Sequence, residues 1–74
     1  MFMKIIEQTA VNFIVNNLKG MSASHYFEQE KFQSFIESVK QGNEITAAER
    51  YQQVTSANID EAHIAAAIAH QLFT

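Results

Sequence analysis

The chain has 74 residues, half or less of an ordinary domain, so residues 1–74 are read as a single domain with no room for a second. Without cysteine or proline and with two glycines, it has no disulfide staples and no glycine-rich loop to cradle a nucleotide phosphate. Eight acidic and five basic residues give a net charge of −3, and no Lys or Arg follows Arg50, so the basic footprint of a nucleic-acid binder is missing and direct binding of nucleic acid is not expected.

A chain this short buries only about 60% of its unfolded surface, which makes a lone core marginal and favours completion by a partner chain. Glu7, Gln8 and Thr9 interrupt the apolar start as a signal peptide would not, and a cysteine-free chain suits the cytoplasm. The longest apolar run, Ile64 to Ala69, falls far short of the roughly 20 residues that cross a bilayer, so no membrane span is expected.

The first predicted helix runs from Met3 to Leu18 and ends at Lys19-Gly20, a basic last turn followed by a glycine cap. On a helical wheel Ile6, Ala10, Val11, Phe13, Ile14, Val15 and Leu18 cover an arc of roughly 200°, wider than one buried stripe. Such an arc is expected to be buried on two sides, either within the chain or against a partner.

A second helix is expected from Ser22 or Ser24, both suitable N-caps, to Gln41, with Gly42 as its stop. Phe32, Phe35, Ile36 and Val39 form an i, i+3, i+4, i+7 stripe that faces the core. Tyr26 and Phe27 fall off this stripe, where they either pack on the preceding loop or remain exposed as an aromatic contact.

The third helix opens at Thr46, whose spacing to Glu49 predicts a capping box, and fades about ten residues later in Thr55-Ser56-Ala57-Asn58. Asn58 then caps a fourth helix, Ile59 to Phe73, with Asp60 and Glu61 at the positive end of its dipole. That helix is apolar all round, which means burial all round. It is either the central helix of the bundle or a helix that docks on a symmetry mate.

The chemistry of sites is sparse. His63 and His70, seven apart, share one face of the last helix, but zinc ligands on one helix lie closer and need further ligands; Asp60 and His63 make at most half a site, so no metal is expected. A pH response is the alternative if both imidazoles lie in an interface. The serines lack a nucleophile elbow, and no catalytic residue, cofactor or small-molecule substrate is expected. A helix-turn-helix would put Asp60 and Glu61 where phosphates must be met, which the electrostatics oppose.

The expected fold is therefore all-α, a small bundle of three to four helices completed by homodimerisation. The expected function is that of a non-enzymatic protein-interaction module or modulator, self-associating and open to a second protein partner, as in a bacterial or phage accessory protein. Its candidate contact residues are Phe13, Ile14, Tyr26, Phe27, Ile64, Ile68 and Phe73. The alternatives are an acidic inhibitor of a nucleic-acid-binding enzyme, or a transcription regulator acting through protein contacts.

Overall fold

A computed structural model describes residues 7–74, except for the side chains of Glu7, Thr9, Ala10 and Ile14. Five α-helices follow one another, with no strand among the described residues: α1 (Glu7–Phe13), α2 (Ala23–Phe27), α3 (Gln33–Lys40), α4 (Glu44–Thr55) and α5 (Ile59–Phe73). The expected start at Met3 and the contribution of Ile6 lie outside the described residues.

Two places where the sequence predicts continuous helix change their winding. After Phe13 the chain runs through a π-helical turn, Ile14–Leu18. In an α-helix Phe13 and Leu18 would point about 140° apart, whereas a turn closed by i→i+5 bonds brings residues five apart toward one side. Both side chains are buried, while Val11 and Val15 are 46% and 64% exposed. The wide arc is thus not buried as a whole. Lys19 and Gly20 then take positive φ and end the helix where its glycine predicts.

The predicted second helix is divided. Ser22 caps α2, accepting from the His25 N–H at 3.2 Å, but the helix stops at Phe27. Gln29 is extended, and its side-chain amide donates to the Tyr26 carbonyl at 2.9 Å. A 3₁₀ turn, Glu30–Phe32, leads into α3. The break resets the helical phase, so that Tyr26 and Phe27 enter the core together with Phe32, Phe35 and Val39, all buried. One unbroken helix would hold the first pair off the stripe.

Between α3 and α4 the chain turns within three residues. Gly42, at φ 78°, donates to Val39 O, and Asn43 N–H donates to Ser38 O, a Schellman closure that needs the left-handed glycine. The Asn43 carboxamide accepts from Thr46 N–H at 3.1 Å and caps α4. Asn43, not Thr46, is therefore the cap, because the closure of α3 already delivers its side chain to the new helix. Asn58 caps α5 as the sequence predicts: its Oδ1 accepts from Glu61 N–H at 2.8 Å, and its Nδ2 donates to the Glu61 carboxylate at 3.3 Å.

α5 lies at the centre, against all four other helices. Ala62, Ile64, Ala65, Ala66, Ala67 and Ala69 are buried within the chain itself, so the alanine faces are covered by intrachain packing and not held open for a second copy. The accessible surface, 4695 Å², is close to the about 4600 Å² of a compact monomer of this mass.

Ala66→Glu places a carboxylate where no atom is exposed. Its desolvation costs several kcal/mol, comparable with the whole stability of so small a domain. We expect loss of the helical circular-dichroism signal; a soluble variant with wild-type helicity would contradict this packing.

Candidate interaction surfaces

Most of the aromatic side chains converge on Tyr51 of α4, which is fully buried. Its ring stacks at 5.6 Å on Phe32, and Phe35, Phe13 and Phe27 lie within 6.5 Å. The geometry also brings polar atoms into this core. Tyr51 donates its hydroxyl proton to Asn17 Oδ1 at 3.2 Å, which leaves the Tyr26 hydroxyl, 2.7 Å away, to donate to Tyr51. Asn17 Nδ2 in turn donates to Glu61 Oε2 at 3.0 Å. One chain of hydrogen bonds thus joins the π turn, α2, α4 and the first turn of α5, and no buried side-chain polar atom among the described residues lacks a partner.

Burial pushes both phenols above their ordinary value of 10.0, and the Glu61 carboxylate adds to the effect in each. Both are therefore neutral near pH 7, suited to holding helices together and not to nucleophilic attack.

The two histidines face different partners. His63 Nδ1 lies 2.7 Å from Glu44 Oε2, both half-buried, and ties α5 to the first turn of α4. The Thr74 hydroxyl lies 3.0 Å from His70 Nδ1. Among the described residues no group of three His, Asp or Glu side chains gathers as a metal site would require. His25 is exposed.

Of the residues expected to make contacts, Phe13, Tyr26, Phe27 and Ile64 sit in the chain's own core. Ile68 and Phe73 are half-buried against it, and the Ile14 side chain lies outside the described residues. No helix among the described residues is long and apolar enough to cross a membrane.

Several surfaces among the described residues remain open, and two of them carry neighbouring apolar side chains. On α1 and its π turn, Val11 and Val15 face solvent beside Gln8, Asn12 and Asn16, all exposed and, among the described side chains of this strip, uncharged. On the other surface, α3 and the end of α5 border a groove of about 600 Å³. Phe27, Ile36 and Phe73 give it an apolar floor, while Glu28, Glu30 and Glu37 face it from the rim.

The groove was not legible in the sequence, since Phe73 and Ile36 come to line it together only once α5 packs on α3. Nor was Asn17 identified there, although a signal exists: on an α-helical wheel Asn17 falls about 40° from Phe13, inside the apolar arc, where a polar side chain needs buried partners. Comparison with protein-family models, curated proteins and solved structures finds no match.

Two outcomes test the buried network. Tyr51→Phe leaves Asn17 and Tyr26 short of a partner and should cost about 1–3 kcal/mol in urea unfolding; an unchanged midpoint would contradict the assignment. Because both folded pKa values lie above the unfolded one, the tyrosines stabilise the fold fully below pH 10.0 and progressively less as pH rises beyond it. Phenolate absorbance should accordingly develop together with alkaline unfolding, and ionisation near pH 10 in a chain that stays folded would refute the burial.

Proposed function

We propose that this chain is a non-enzymatic protein-interaction module of the cytoplasm that pairs with a second copy of itself through α1. The observation that carries the reading is the outward pair Val11 and Val15, spaced i, i+4 on a strip that also holds Gln8, Asn12 and Asn16. Single exposed apolar side chains are ordinary, but Val11 and Val15 side by side form a seam at helix-pairing spacing.

The second copy is favoured as occupant by charge. In a two-fold pairing each strip meets its own image, so any charge on it would face a like charge. The exposed side chains described on α1 and its π turn, Gln8, Val11, Asn12, Val15 and Asn16, carry no charge and meet that condition. The accessible surface matches that of a self-contained monomer, which supports docking of preformed units rather than folding upon association.

Light scattering across a concentration series tests the pairing. A mass approaching twice the 8.4 kDa of one chain is expected at the high end, and Val15→Glu should return it to the single-chain value with helicity unchanged, since the side chain is exposed. The single-chain mass at every concentration of the wild type would overturn the proposal.

A further inference from the structure

The groove bordered by α3 and the end of α5 has a composition that selects its ligand. Its floor is apolar: Ile36 and Phe73 are half-buried, and Phe27 lies beneath them, 2% exposed. Its rim carries the exposed carboxylates of Glu28, Glu30 and Glu37 against the single ammonium of Lys40. Lys31, nearby in sequence, is held over the Phe32 ring at 5.3 Å and does not line the groove.

We propose that this groove receives a basic amphipathic helix of another protein, its apolar side chains on Ile36 and Phe73 and its lysines or arginines against the three carboxylates. The charge of the rim excludes nucleic acid and anionic lipid, whose phosphates would meet carboxylates, and fits a cationic partner. The backbone argues for a helix. With no strand among the described residues, there is no sheet edge to which an extended peptide could add itself. Recognition falls to side chains, and an apolar stripe flanked by basic residues matches both floor and rim. Although about 600 Å³ would hold a small molecule, the groove is open to solvent along its length and lacks the enclosure that such ligands require. The proposal is independent of pairing through α1, because a monomer presents the same groove.

The probe is a short, fluorescently labelled synthetic helix of leucine and lysine, with a counterpart in which glutamate replaces every lysine; binding is read by anisotropy at low salt. The lysine peptide should bind the wild type, and the double variant Glu30→Lys, Glu37→Lys should bind it roughly tenfold more weakly, since two rim attractions become repulsions. A second double variant, Glu49→Lys with Asp60→Lys, makes the same change in net charge outside the groove and should keep most of the affinity. Circular dichroism establishes that both variants are folded. Equal weakening by the two double variants would reduce the effect to overall charge and overturn the proposal, as would absence of binding or equal binding of the glutamate peptide.

Discussion

A hydroxyl taken out of water must find partners, and Tyr51 carries one into the middle of an aromatic core. Its ring needs Phe13, Phe32 and Phe35 around it, while its oxygen needs a donor and an acceptor among them. Tyr26 and Asn17 meet that demand, and Asn17 is itself held by Glu61. The position of the π turn, the entry of α2 into the core and the seating of α5's first turn are all tied to this one group. In a low-dielectric interior such a chain of bonds is strong when complete and costly when broken, so it fixes one arrangement of helices that apolar packing alone would leave loosely defined.

The second constraint is size. A chain of 74 residues cannot surround a bulky helix on every side, and alanine resolves the difficulty. Ala62, Ala65, Ala66 and Ala69 let the backbones of α1 to α4 come close to α5, so one central helix serves the whole bundle. The large side chains collect instead at the Tyr51 end of the core, where Phe13, Phe27, Phe32 and Phe35 fill the volume. Small residues at the axis and aromatics at one end form a continuous core without a disulfide.

With the core closed, the remaining apolar side chains gain meaning from their placement. Val11 and Val15 lie beside the uncharged Gln8, Asn12 and Asn16, whereas Ile36 and Phe73 share a groove with three carboxylates. In the proposed readings these two surfaces take different partners, the first its own image and the second a cationic helix. Kept apart in this way, the two proposed contacts do not compete.

Local rules read from the sequence account for the all-α class, the stops at Gly20 and Gly42, the Ser22 and Asn58 caps and the span of α5, because each depends on residues within one helical turn of the boundary. The stripe of Phe32, Phe35 and Val39 was legible for the same reason. Tertiary structure decided the rest. The π turn after Phe13 and the break at Gln29 violate the regular period on which wheel arguments rely, and in the fold they accompany the meeting of Asn17 and Tyr26 with Tyr51 from distant parts of the chain. Asn43 displaced Thr46 as a cap because the closure of α3 had already positioned it. Whether α5 was a central helix or a docking helix could not follow from its composition, since an all-round apolar surface states that burial is needed without naming what provides it; here the chain's own four helices do.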